Sequence, residues 1–216
     1  MPDTWTGAVP VARSPITVPG PRSVVDGWEV STARTPAALR LADVSPLAKL
    51  SVRADADGRF ARALDVPFLH SRREDDVLIV GSGPGEWLLL GSAGTSAFLR
   101  ERVQSRSGGD LVPTVDLTHG RALVRLTGRD AARALAKVCA IDLADAVTPN
   151  GTAFRTSVAK VATDVVRDDA GAATGEPSYL LHCERSSGQY LFDCLLDAGR
   201  EFGVEPDGSY LDGKGA

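Results

Sequence analysis

An α+β fold built from two similar βαββα units is what this sequence predicts, and three observations carry the prediction. The order strand, helix, strand, strand, helix recurs at a spacing of about 73 residues, and such self-similarity marks a repeated structural unit. Within each unit the apolar residues switch between the period of two that suits a strand and the 3.6-residue period that suits a helix. The chain, 216 residues with 43% hydrophobic side chains, is long enough to bury a sizeable core as one domain or two halves.

The elements follow in chain order. Six of the 13 prolines (Pro2, Pro10, Pro15, Pro19, Pro21 and Pro36) fall near the start, which forbids long helices or central strands there. Residues 1–40 are therefore expected to form an extended arm that wraps its own body or docks on a neighbour. The expected body, 41–206, divides into halves at 41–112 and 113–206, and the glycine-rich, charged stretch 207–216 reads as a flexible tail. Ala42-Asp43-Val44-Ser45 and Leu50-Ser51-Val52-Arg53 are strands, followed by a short helix around Phe60 and Leu64. Val115-Asp116-Leu117-Thr118, Val124-Arg125-Leu126-Thr127 and a helix around Ala131, Leu135 and Val138 repeat them. Glu86-Trp87-Leu88-Leu89-Leu90-Gly91 leads into a helix over 95–103, as Ser178-Tyr179-Leu180-Leu181-His182-Cys183 leads into one over 188–202. Ala122, Val124 and Leu126 alternate with Arg121, Leu123 and Arg125, which suits a strand with one face on a core. Leu191, Cys194, Leu195, Ala198 and Phe202 make one helical stripe; Phe98, Leu99 and Val103 make another, with Thr95 as its N-cap.

Composition excludes several function classes. Lys+Arg at 24 against Asp+Glu at 28 leaves a net charge of −4, with no basic surplus to hold a phosphate backbone or an anionic membrane. Nucleic acid is not an expected partner. No apolar run reaches the roughly 20 residues of a membrane helix, and the first five residues lack the basic start and apolar stretch of a signal peptide. A cytoplasmic protein with no membrane contact is expected. Cys139, Cys183 and Cys194 fit neither a disulfide framework nor a zinc knuckle, and His70, His119 and His182 share no ligand-type spacing, so no metal is expected.

The chemistry-bearing candidates are few. Gly81-Ser82-Gly83-Pro84-Gly85 runs into the strand at Trp87 rather than into a helix, so it reads as a turn between strands and not as a phosphate cradle. At the entrance to a strand, His119 could act as a titrating group; the structural alternative has Asp116 and Thr118 tying the turn while His119 packs at its edge. Trp87 and Tyr179 occupy matching places in the two halves, either as a shared core position or as platforms for a flat ring. Arg185 lies near Cys183, but an activated thiol needs more than one nearby cation. Ser92 lacks the second glycine of a nucleophile elbow.

The stretch from Val115-Asp116-Leu117-Thr118-His119-Gly120-Arg121 to Arg129-Asp130-Ala131 resembles the Asp-x-Ser-His-Gly-Arg segment of the gamma subunit of heterotetrameric sarcosine oxidase. Arg13-Ser14-Pro15, Gly83-Pro84-Gly85-Glu86-Trp87-Leu88-Leu89, Leu135-Ala136-Lys137-Val138-Cys139-Ala140-Ile141-Asp142-Leu143, Pro149-Asn150-Gly151 and Tyr190-Leu191-Phe192-Asp193-Cys194-Leu195 extend it in the family's order over roughly residues 12 to 204. That family is similar to the folate-binding T protein of the glycine cleavage system. The resemblance implies an aminomethyltransferase folate-binding-like fold of the gamma-subunit type. It also implies a role in oxidative demethylation of sarcosine to glycine, with tetrahydrofolate receiving the one-carbon unit. The partners it implies are the larger alpha and beta subunits and the delta subunit, and FAD, FMN and NAD are expected only on those. This chain would be an accessory subunit rather than an independent catalyst. The alternative is a stand-alone folate-binding aminomethyltransferase-like enzyme.

For this chain the resemblance offers tetrahydrofolate alone as a ligand. His119, Arg121, Trp87 and Tyr179 are then candidate contacts to folate or to a partner subunit. Asp164 is the one candidate catalytic residue: the T protein carries an aspartate on the corresponding strand, facing the folate amine, where a carboxylate would stabilise developing positive charge. A gamma subunit is expected to be apolar at that place, so Asp164 departs from the pattern. The plain reading is a solvated strand residue beside Arg167.

Overall fold

In the computed structural model, which describes residues 10–171 and 175–208, the two repeats exchange their first strands. The first repeat runs β4 (Leu39–Asp43), β5 (Ala48–Arg53), α1 (Arg59–Leu64), β6 (Ser71–Glu74), β7 (Val77–Gly83), β8 (Glu86–Gly91) and α2 (Ser96–Arg106). The second runs β9 (Thr114–Asp116), β10 (Arg121–Thr127), α3 (Ala131–Ala136), β11 (Ala153–Val158), β12 (Val161–Arg167), β13 (Ser178–Glu184) and α4 (Gly188–Gly199), and β14 (Val204–Asp207) follows. A six-stranded sheet has the order β11-β12-β13-β10-β4-β14, and a five-stranded sheet the order β6-β7-β8-β5-β9. Thus β4 leads the first repeat but pairs with β10, while β9 leads the second but pairs with β5.

The same short sequence makes both crossings. Asp43 Oδ1 accepts the amide of Ser45 at 3.0 Å, and Asp116 Oδ1 accepts that of Thr118 at 2.9 Å, the local turn that aspartate favours. Each hydroxyl then reaches the opposite repeat: Ser45 Oγ accepts the Leu123 amide and Thr118 Oγ1 accepts the Lys49 amide, both at 3.1 Å. The matched places of Trp87 and Tyr179 survive in the register, since Trp87 lies opposite Val52 as Tyr179 lies opposite Leu126.

Period-two alternation then assigns every strand residue to a layer. Ala122, Val124, Leu126, Val165 and Leu181 bury one face of the six-stranded sheet under α3 and α4. Leu50, Val52, Ile79 and Leu89 bury the outer face of the other sheet under α1 and α2. The two inner faces meet through Leu78, Val80, Leu88, Leu90, Leu123, Val166 and Leu180. The result is four layers: helices, sheet, sheet, helices.

Three details differ from the sequence expectation. Strand β10 is buried on both faces rather than one, because the second sheet covers the face of Leu123 and Arg125. Arg125 is tolerated there because Asp168 Oδ2 and Ser178 Oγ accept its guanidinium, each at 2.9 Å. Phe98 leaves its stripe and is 53% exposed while Leu99 and Val103 are buried. Thr95 precedes α2 without capping it, its hydroxyl donating instead to the Ser92 carbonyl at 2.7 Å.

Within the expected arm, residues 12–31 carry β1 (Ala12–Arg13), β2 (Arg22–Val25) and β3 (Trp28–Ser31), a small three-stranded sheet. Ile16 and Val18 are buried in the core beneath α4. Gly188 makes that approach feasible: a Cβ on it would meet Ala122 Cβ at 2.6 Å and Pro15 Cγ at 3.2 Å. In the expected tail, Asp207 is buried and the Gly208 amide donates to the Ala33 carbonyl; residues 209–216 lie outside the described residues. No helix of the described residues is long and apolar enough to cross a membrane.

Candidate functional site between the two sheets

Three adjacent strands place the polar centre of the molecule. Strands β11 and β12 join through Ala159 and Lys160, both at positive φ (48° and 68°), the left-handed pair a tight hairpin requires. That turn sets Arg155 opposite Asp164. The guanidinium grips the carboxylate as a fork, Nε to Oδ1 at 2.6 Å and Nη2 to Oδ2 at 3.1 Å. On the other side β13 sets His182 opposite Asp164, with Nδ1 3.3 Å from Oδ2.

Charge states follow from these contacts. Burial alone would raise the Asp164 pKa, but the hydrogen bonds from His182 and Arg155, with their charges, outweigh it and hold the carboxyl at about 2. An ionised carboxylate only accepts, so Nδ1 of His182 carries the proton between them. Burial pushes the imidazole below its ordinary pKa, against the pull of Asp164, and the charges of Arg121 and Lys49 add to that push. At neutral pH the ring is neutral. Its Nε2 is therefore an acceptor, and it is buried with no hydrogen-bond partner among the described residues.

These side chains line a cavity of about 210 Å³ between the sheets. Leu88, Leu90, Leu123 and Leu180 form apolar wall, while Ser51, Arg53, Glu86 and Arg121 add polar surface. Arg53 pairs with Glu86 and Arg121 with Glu184, each at 2.9 Å.

Of the residues singled out in the sequence, Asp164 and Arg121 come together in this cavity. His119 does not line it: exposed, it stacks on Trp28 with centroids 4.7 Å apart and planes at 8°. Trp87 and Tyr179 lie on the outer faces, each in the core beneath its own helices. Trp87 meets Phe60 edge-on and donates to the Val66 carbonyl at 2.8 Å; Tyr179 lies under the Arg167 guanidinium. The plain reading of Asp164 as a solvated neighbour of Arg167 fails, because its side chain is only 16% exposed. Arg167 turns instead to Asp145, Asp169 and the Thr148 carbonyl. Burial pushes the Cys183 thiol up to about 11, which leaves no thiolate at neutral pH. The glycine stretch is a strand-to-strand turn with Gly85 at φ +69°, and a Cβ on Gly81 would meet the Pro67 carbonyl at 2.2 Å.

Arg155 and His182 were not legible as site residues. Their one signal is the hairpin register fixed at Ala159 and Lys160, and neither is a residue type that marks such a turn.

Residues 70–210 match the family described as the GCVT N-terminal domain. Among curated proteins, an aminomethyltransferase of Geobacillus thermodenitrificans (strain NG80-2) is 33% identical over 134 residues, covering 62% of this chain and 35% of that protein. The mitochondrial dimethylglycine dehydrogenase of Homo sapiens is 26% identical over 137 residues, 62% of this chain and 16% of that protein. The chain thus matches about a third or less of the length of these curated relatives. Among solved structures, a chain of the heterotetrameric sarcosine oxidase from Corynebacterium sp. U-96, in complex with pyrrole 2-carboxylate, superposes with a TM-score of 0.65 at 23% identity. That match covers 81% of this chain and 90% of the other. The glycine cleavage system aminomethyltransferase T of Bartonella henselae gives a TM-score of 0.68 at 18% identity, covering 88% and 56%. Both structural likenesses are likenesses of fold.

Proposed function

The chain belongs to the GCVT N-terminal domain family, and from that membership we propose that it is the gamma-type subunit of a sarcosine oxidase-like complex. In that role it supports oxidative demethylation of N-methylglycine to glycine, with the one-carbon unit passing to tetrahydrofolate. The observation that carries this reading is the likeness of fold to a chain of a heterotetrameric sarcosine oxidase, at a TM-score of 0.65 over 81% of this chain. Flavin and nicotinamide chemistry then belong to the alpha, beta and delta partners.

The site supports the same reading. A cavity of about 210 Å³ falls below the roughly 300–1,000 Å³ of sites that enclose a drug-sized ligand, which favours a smaller ligand over an enclosed whole reduced folate. Asp164, the candidate for facing a folate nitrogen, is already gripped by Arg155 and hydrogen-bonded by His182. Purified alone, the chain is expected to show no flavin absorbance and no sarcosine turnover. Co-expressed with the alpha, beta and delta chains of a sarcosine oxidase-like complex, it should co-purify with them and restore turnover. Turnover by the isolated chain, or failure to co-purify, overturns the proposal.

A second reading, a stand-alone folate-binding aminomethyltransferase-like enzyme, draws support from the place of Asp164 on the cavity wall. Calorimetric titration of tetrahydrofolate into the wild type and Asp164→Ala separates the two. Heat that depends on Asp164 favours this second reading, and no heat from either protein removes it.

A further inference from the structure

One buried acceptor in the inter-sheet cavity, Nε2 of His182, lacks a partner among the described residues. His182 has a side chain 5% exposed, its Nδ1 is committed to Asp164, and its buried Nε2 meets no donor. Buried polar atoms are rarely left so, because desolvation without a replacement hydrogen bond is unfavourable. A neutral ring fixed in this tautomer accepts at Nε2 and cannot donate. What completes it is an N–H or O–H donor from outside the chain.

The rest of the cavity narrows the class. Arg121 lines the same space, and its guanidinium acts on His182 electrostatically. It is paired with Glu184, whose side chain is 64% exposed. A guanidinium has five donors, so that one pair leaves donors for a second carboxylate. The apolar wall is made by leucines with Val80 and Val166, and the volume of about 210 Å³ is below the roughly 300–1,000 Å³ of sites for drug-sized ligands. Donor at one end, carboxylate at the other and a short apolar body between them describe one kind of molecule.

We propose that the inter-sheet cavity binds a small amino or imino acid as its zwitterion, the ammonium N–H donating to Nε2 of His182 and the carboxylate held by Arg121. Asp164 is the positioning residue that fixes the imidazole tautomer. This site stands on the cavity alone and holds whether or not the chain serves in a larger complex.

The test is calorimetric titration of the full chain with N-methylglycine, with proline and with N,N,N-trimethylglycine, which has the same charges but no N–H. N-methylglycine or proline should bind at one site, with trimethylglycine at least tenfold weaker. Arg121→Gln should lower the affinity at least tenfold, and His182→Phe should abolish binding. Because a core variant can fail to fold, the ¹⁵N resonance of His182 Nε2 in the wild-type chain is followed as well. It should shift on adding N-methylglycine or proline and stay put on adding trimethylglycine. Equal binding of all three, or neither heat nor shift with any, overturns the proposal. So does a site that responds to tetrahydrofolate and not to the small zwitterions, an outcome that leaves the subunit reading to be judged by co-purification.

Discussion

Asp164 and His182 face each other across β12 and β13, Oδ2 to Nδ1 at 3.3 Å, and each sets the other's charge. The carboxylate keeps its negative charge because His182 and Arg155 donate to it, and the imidazole stays neutral because burial outweighs the pull of the carboxylate. The acid side of the stability profile follows. A carboxyl depressed from 3.8 to about 2 contributes stability that is fully present above its unfolded pKa and is lost as pH falls through the folded one. Urea unfolding should therefore show the wild type weakening between those two values, and Asp164→Asn should lack that part of the loss. Near neutrality the variant should be less stable by about 1–3 kcal/mol, since an uncharged amide with one acceptor oxygen replaces a carboxylate that accepts from both Arg155 and His182.

Lys49 offers a second linkage at the strand exchange. Its buried Nζ donates to the carbonyls of Ser45, Leu47 and Thr118 at 2.6, 2.8 and 3.2 Å. Burial lowers its pKa from 10.5 to about 7, opposed by Asp43 and Asp116. Lys49→Met removes the donor from three carbonyls at once and should destabilise the chain by about 1–3 kcal/mol at pH 9, where the buried amine is neutral. Because the folded pKa lies below the unfolded one, wild-type stability from this group rises with pH between about 7 and 10.5. The gap to Lys49→Met should widen over that window, as measured by chemical denaturation at a series of pH values.

The proline-rich segment makes a claim of its own. Ile16 is 5% exposed and packs in the core that α4 covers. Ile16→Ala should cost about 2–4 kcal/mol and lower the midpoint of a single cooperative transition. A variant with wild-type stability would show that the segment adds nothing to the body on which it lies.

Much of the secondary structure was legible because alternation and helical stripes are local. The exchange of β4 and β9 was not, since a strand's alternation reads the same in whichever sheet it pairs. Alternation puts Arg125 on the polar face of β10, yet it is 5% exposed, because a second sheet covers it and Asp168 neutralises it across strands far apart in sequence. The site divides along the same line. Asp164 and Arg121 were candidates from the sequence, whereas His182 and Arg155 join them only through strand register. His119 carried a motif resemblance, but its ring stacks on Trp28, in the segment expected to be an arm.

The measurement that tests the site most directly is the ¹⁵N spectrum of the His182 ring across pH 5 to 8. The structure predicts a neutral ring at neutral pH, protonated on Nδ1 and bare on Nε2, with a pKa below the ordinary 6.5. A ring protonated on Nε2, or an imidazolium persisting above pH 7, would contradict it and remove the free acceptor from the cavity.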